Sequence, residues 1–246
     1  MIYAHGFVPN SFGLGITVPV VKNKLGDLSC ADNYRAITLS PVISKVFEYC
    51  LLDKFEGFLW SNQLQFGFKK NSSCSTAIFV LSQVVEYFVR NGSNVYMAAL
   101  DAKKAFDRVN HVKLFKKLLD RGIPGKLITL LIDWYGKTFM EVKWNNCLSC
   151  RMIVRQGGIL SPILFNIYVD GIIDSLQQFD MGCHIGSVYI GCIAYADDII
   201  LLSASVLQLQ VMIDVCCKCG VECCAHLFCK KVHFCRSRSF KVAQGR

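Results

Sequence analysis

The chain has 246 residues, 53% of them hydrophobic and 18% charged, with 27 Lys+Arg against 18 Asp+Glu and a formal net charge of +9. That hydrophobicity excludes a disordered chain, and the length excludes a small scaffold that depends on disulfides for a core. It fits one large domain or two small ones. No run of about 18 uncharged apolar residues is present to span a membrane; the longest candidate, Val188 to Leu202, is broken by Asp197 and Asp198. The N-terminus lacks the basic start and apolar run of a secretory signal. The expectation is therefore an intracellular chain with no membrane partner, nuclear or cytoplasmic, whose 14 cysteines are reduced thiols.

In chain order, Ile16 to Val21 reads as a strand, followed by a basic turn through Lys22 and Lys24. Ile43 to Phe58 reads as a helix with Val46, Phe47, Cys50, Leu51 and Phe55 on its apolar face. After a polar loop, Thr76 to Arg90 reads as a second helix, with Ile78, Leu81, Val85 and Phe88 aligned and Asn91-Gly92 as its stop. A strand from Asn94 runs to Leu100 and ends in Asp101. Two short helices follow, Val112–Arg121 and Lys126–Tyr135, then a hairpin of Phe139–Trp144 and Leu148–Val154. Pro162 to Leu176 is helical, and Val188–Ala194 with Ile199–Ser203 forms a tight hairpin around Tyr195-Ala196-Asp197-Asp198. Helices mixed with strands indicate an α+β fold.

Three acids stand out because they end or join strongly apolar strands: Asp101, Asp197 and Asp198. A carboxylate beside buried strands is costly to ionise without a positive partner. A strand-end Asp facing a hairpin-tip pair supplies the hard oxygen ligands that suit Mg²⁺ or Mn²⁺, and two such ions serve in-line phosphoryl displacement. Asp is also favoured in turns for purely structural reasons, so the spacing alone leaves both readings open.

The context adds a resemblance. Tyr195-Ala196-Asp197-Asp198 between apolar strands resembles the Tyr-x-Asp-Asp motif of reverse transcriptases. Leu100-Asp101-Ala102-Lys103-Lys104-Ala105-Phe106-Asp107 resembles their first palm motif, and Arg155 to Pro162 followed by Leu164-Phe165-Asn166 their second. Asn33 to Leu39 resembles the fingers motif, with Ala36 where Pro is usual, and Gln65 to Ser73 resembles the loop that follows it. The blocks occur in family order across residues 14 to 203 and most resemble the non-LTR (LINE-type, jockey-like) retrotransposon enzymes.

The resemblance implies a right-hand polymerase fold, with a fingers-like region at 1–92 and a ferredoxin-like palm sheet with packed helices at 93–215. Residues 14–229 would form one reverse transcriptase domain. It implies RNA-directed DNA polymerase activity, with an RNA template, a DNA primer and dNTPs as partners and two Mg²⁺ (or Mn²⁺) ions as cofactors. Asp101, Asp197 and Asp198, with the Ala102 backbone, match the catalytic metal site. Lys22 or Lys24, Arg35, Phe106, Gln156 and Gly157 match nucleotide-binding positions, Phe106 as the steric gate against a ribose 2′-hydroxyl. Lys69, Lys70, Gly158 and Tyr195 match template–primer positions. Phe106 has a second reading as a core aromatic, and the lysines as solvated surface residues.

After Ser203 the resemblance decays. Lys231 is the candidate for the general acid only with a register shift of about three residues. Residues 216–246 read as a degenerate, Cys-rich basic segment, and Lys230, Lys231, Arg236, Arg238, Lys241 and Arg246 all follow the last acid, Glu222. No thumb or endonuclease pattern is recognisable, so the expectation is a fragment of a larger polyprotein. Cys216, Cys219, Cys224 and Cys229 have zinc-knuckle spacing, which would make four thiolate ligands. Two other readings therefore accompany the polymerase: a catalytically inactive remnant, and a nucleic-acid-binding module built on that cluster.

Overall fold

The computed structural model describes residues 2–102, 106, 109–144, 147–149, 158–223, 228–229 and 235–236. In chain order its elements are α1 (Ile2–His5), β1 (Leu14–Val21), β2 (Tyr34–Leu39), α2 (Val42–Phe55), α3 (Cys74–Arg90) and β3 (Tyr96–Ala102). Then come α4 (His111–Asp120), α5 (Gly125–Gly136), β4 (Phe139–Trp144), β5 (Cys147–Leu148) and α6 (Ser161–Gln178). The last are β6 (His184–Ile185), β7 (Val188–Tyr189), β8 (Cys192–Tyr195), β9 (Asp198–Ser203), α7 (Val206–Cys223), β10 (Phe228–Cys229) and β11 (Cys235–Arg236).

The chain forms two compact units, residues 1–60 with 114–164 and residues 61–113 with 165–246. These units are interleaved in sequence and do not divide at 92/93. The reason is a non-local pairing, because β4 aligns parallel to β1 and draws residues 114–164 to the first unit.

The first unit holds a sheet of order β2-β1-β4-β5. β1 and β2 are antiparallel, with Val20 opposite Arg35 and Val21 opposite Tyr34. The Lys22–Asn33 connection is closed by the Asn33 side chain, whose Oδ1 accepts from Asn23 N at 3.1 Å and whose Nδ2 donates to Asn23 O and Asp27 O. Phe12, Phe47 and Trp134 pack in mutual contact with centroids 5.6–6.0 Å apart. α2 buries Ser44, Glu48, Leu51 and Phe55, whereas Val46 and Cys50 of the expected apolar face are exposed. The helix is thus rotated from its hydrophobic pattern, and it turns a carboxyl group inward.

The second unit is built on antiparallel strands in the order β10-β3-β9-β8, with β11 also pairing β3. α3 begins at an N-cap, Ser73, whose hydroxyl accepts from Thr76 N, and Asn91-Gly92 stops it with Gly92 at φ 74°. Its buried stripe is Ala77, Leu81, Val84 and Val85; Ile78, expected on that stripe, is 44% exposed. The stripe packs on Val95, Met97, Cys183, Ile193 and Leu202. The apolar run 188–194 is not one strand: Val188–Tyr189 pairs with β6, and only Cys192–Tyr195 pairs with β9. α7 runs unbroken to Cys223, so a segment boundary at 216 falls inside a helix. No helix among the described residues is long and apolar enough to cross a membrane.

Candidate active site

β3, β9 and β8 bring the acids together. Asp101 lies opposite Asp198 in the β3–β9 register, and Asp198 lies opposite Tyr195 in the β8–β9 register. Directly paired residues on neighbouring antiparallel strands have Cα atoms about 4.5–5.5 Å apart. Tyr195 and Asp198 close a two-residue loop, Ala196-Asp197, so Asp198 is the first residue of β9 rather than part of the turn. Ala196 takes φ 57°, a left-handed conformation uncommon outside Gly and Asn. Asp198 is exposed and Asp197 half-buried. The side chains of Asp101 and Ala102 lie outside the described residues, so the grouping rests on backbone register. Among the described residues no cluster of three or more His, Cys, Asp or Glu forms a metal site. The donor chemistry nonetheless fits a hard divalent ion, since the register places three carboxylate-bearing positions at one end of the sheet.

The Gln65 loop lies against this turn. Phe66 N donates to Ala194 O at 2.7 Å and Ala194 N to Leu64 O at 2.8 Å, a short parallel bridge along β8. Gln65, 0% exposed, reaches Ala196. A Cβ on Gly67 would sit 2.2 Å from Ala196 N, so only glycine permits this approach. Asn166 Nδ2 donates to Gly67 O at 2.8 Å from α6. Asn62 ties the same loop to α6: its backbone N–H donates to Asp170 Oδ2 and its Nδ2 donates to Asp174 Oδ1.

Phe106 is half-buried, its ring 4.6 Å from that of Phe165 and 6.0 Å from that of Phe68. Two aromatic neighbours fix its orientation, which a steric gate requires and a core residue also tolerates. Tyr195 packs on the Met97–Ile193–Leu202 core, which anchors the β8 end of the hairpin.

Two of the expected template–primer positions make contacts within the chain. Lys69 Nζ donates to Ser61 O and Asn62 O, and burial pushes its pKa down, so its ammonium serves the loop's own carbonyls. Lys70 is exposed. A Cβ on Gly158 would meet Glu48 Oε1 at 2.8 Å and Ser161 Oγ at 2.9 Å, so the glycine there makes room for a neighbouring carboxyl. Glu48 Oε2 accepts from Leu160 N at 3.0 Å and from Ile159 N; burial raises its pKa, against the lowering effect of those N–H groups. Glu48 also lines a cavity of about 60 Å³ with Ser44, Trp134, Tyr135 and Ser161.

In the first unit, Lys22, Lys24 and Arg35 are all exposed, the lysines in the Asn33-closed turn and Arg35 on β2. Gln156, Gly157, Cys224 and Lys231 lie outside the described residues, and Cys229 is described only as backbone of β10. Of the four zinc-knuckle cysteines, Cys216 and Cys219 lie on α7. Cys216 is 0% exposed, and burial raises its thiol pKa well above the ordinary value. Cys219, on the same helix, faces Ser175 Oγ at 3.7 Å.

Gln65 enters the sequence pattern only as the first residue of the loop motif, and nothing local gives it a role; Glu48 is a carboxyl inside an otherwise apolar helical run, and that mismatch is its available signal.

A reverse transcriptase (RNA-dependent DNA polymerase) family profile matches residues 21–243. The chain is similar to the retrovirus-related Pol polyprotein of the type-2 retrotransposable element R2DM of Drosophila melanogaster, 25% identical over 213 residues, covering 85% of this chain and 20% of that protein. It is also similar to the Pol polyprotein of the type-1 retrotransposable element R2 of Nasonia vitripennis, 29% identical over 225 residues, covering 87% and 21%. The chain thus spans about a fifth of the length of these relatives. In fold it is similar to apo telomerase from Candida tropicalis truncated from its C-terminal domain, with a TM-score of 0.64 at 14% identity, covering 95% of this chain and 52% of that one. Together with three acids gathered at one end of an antiparallel sheet, these matches place the chain in the reverse transcriptase family, as a domain of the non-LTR retrotransposon kind.

Proposed function

We propose that this chain is the fingers-and-palm part of an RNA-directed DNA polymerase that adds dNTPs to a primer 3′-hydroxyl on an RNA template. The observation that carries the reading is the β3–β9–β8 register, with Asp101 opposite Asp198 and Asp197 in the adjoining turn. In this reading the second unit is the palm and the first unit the fingers.

Reverse transcriptases use divalent metal ions, and the proposed set here is two Mg²⁺ held by Asp101, Asp197 and Asp198 with the Ala102 carbonyl. Such ions supply Lewis-acid stabilisation of the attacking and leaving oxygens. The chain's own residues perform the remaining work. Arg35 and Lys22 or Lys24, exposed on the β1–β2 arm, offer cations for the triphosphate, and a guanidinium fork matches phosphate oxygens. Gln156 and Gly157 contact the incoming nucleotide. The Phe106 ring, held by Phe68 and Phe165, occupies the space a 2′-hydroxyl needs. Tyr195 and Lys70 face the template–primer. The 3′-hydroxyl attacks the α-phosphate and pyrophosphate leaves.

The test is primer extension on an RNA template with Mg²⁺ or Mn²⁺. Asp101→Ala and Asp197→Ala each abolish extension; extension that survives either substitution refutes the assigned site.

A further inference from the structure

Ala196 is a non-glycine residue held at φ 57° directly before Asp197 and Asp198. An L-residue avoids this conformation unless its surroundings impose it. The two-residue hairpin between β8 and β9 calls for it, and one side chain holds the residue there. Gln65 Oε1 accepts from Ala196 N at 2.9 Å, and Gln65 Nε2 donates to Ala196 O at 3.1 Å. The same Oε1 accepts from Gly67 N at 2.8 Å. A neutral carboxamide carries both a donor and an acceptor, so it pairs with both backbone groups of one residue as a neighbouring strand would. Gln65 is 0% exposed, which leaves no water to replace these bonds. The Leu64–Ala194–Phe66 bridge delivers it to that point.

We propose that Gln65 is a positioning residue that holds the Ala196 backbone in its left-handed conformation and thereby aims Asp197 and Asp198. This rests on the polymerase reading for its catalytic consequence, though not for the clamp itself. Gln65 touches no reacting atom. Its loss misdirects the acids without removing any nucleotide contact. The defect therefore lies in kcat, with KM for dNTP little changed, and it is relieved by making residue 196 tolerant of positive φ.

The experiment compares the wild-type chain, Gln65→Met and the Gln65→Met/Ala196→Gly double variant. It uses single-turnover primer extension on an RNA template, together with backbone amide exchange at Ala196. Methionine keeps the volume and removes the hydrogen bonds. The expected result is a fall of about 100-fold in kcat for Gln65→Met, with dNTP KM within about threefold. Recovery of about tenfold in the double variant is expected. The Ala196 amide exchanges slowly in wild type and fast in Gln65→Met. An unchanged kcat, a defect confined to KM, or a double variant no better than the single overturns the proposal. If wild type extends no primer, the polymerase reading falls while exchange still decides the clamp. If Gln65→Met does not fold, wild-type exchange decides it alone: protection matching β9 supports the clamp, and rapid exchange overturns it.

Discussion

Gly67→Ala tests how closely the Gln65 loop governs the catalytic turn. The added Cβ would lie 2.2 Å from Ala196 N, 2.8 Å from its Cα and 3.1 Å from its Cβ. Unstrained heavy-atom contacts lie near 3.5 Å or beyond, so the two backbones must separate by about 1 Å. Neither side yields cheaply. Gly67 is held through its N–H by Gln65 and through its carbonyl by Asn166, and Ala196 is held on both backbone groups. Overpacking of this kind costs about 1–3 kcal/mol of stability. A 1 Å displacement of Asp197 costs about 100-fold in rate, or about 2.7 kcal/mol of barrier. The assay is single-turnover extension of a primer on RNA, paired with a urea melt. Gly57→Ala is the control, because a Cβ there meets nothing within 4 Å. Extension by Gly67→Ala within about threefold of wild type would refute the idea that this contact sets the turn.

Two further outcomes follow from the same structure. Phe106→Val opens the space between Phe68 and Phe165 and relaxes dNTP-over-rNTP selectivity at least about tenfold; unchanged selectivity in competitive incorporation would make the ring a packing residue only. Burial raises the Glu48 pKa, so the folded chain binds this proton more tightly than the unfolded chain. Its contribution to stability is therefore greatest below the unfolded carboxylate value and declines as pH rises through the folded one. Glu48→Gln removes that decline while keeping an acceptor for Ile159 N and Leu160 N, so urea melts between pH 4 and 7 show the variant gaining on wild type as pH rises; parallel curves would contradict the buried-carboxyl argument.

Much of the architecture was legible from local pattern. Strand-forming runs at 16–21, 96–100 and 199–203 and helices near 43–55, 76–90 and 162–176 all form close to where periodicity and caps put them. This works because an apolar stripe and a capping residue act over one or two turns of chain. Asp101, Asp197 and Asp198 were legible for the same reason: a charge at the end of an apolar run is conspicuous in one dimension. The fate of the lysines was not. Nothing local shows that Lys69 is claimed by Ser61 and Asn62 carbonyls, or that the 14 cysteines include Cys216 sealed inside a helix.

The sequence by itself determined the element types, the order of the motifs and the three acids, since each depends on near neighbours. Only the tertiary structure decided which distant residues meet. Parallel pairing of β1 with β4 interleaved the two units. Rotation of α2 away from its hydrophobic pattern carried Glu48 to the N–H groups of Ile159 and Leu160. A parallel bridge between Gln65 and Ala194 brought the Gln65 side chain onto Ala196, 131 positions away in the chain. Such contacts are chosen by the packing of whole elements, in which an amide or carboxyl is buried because a backbone group elsewhere requires it.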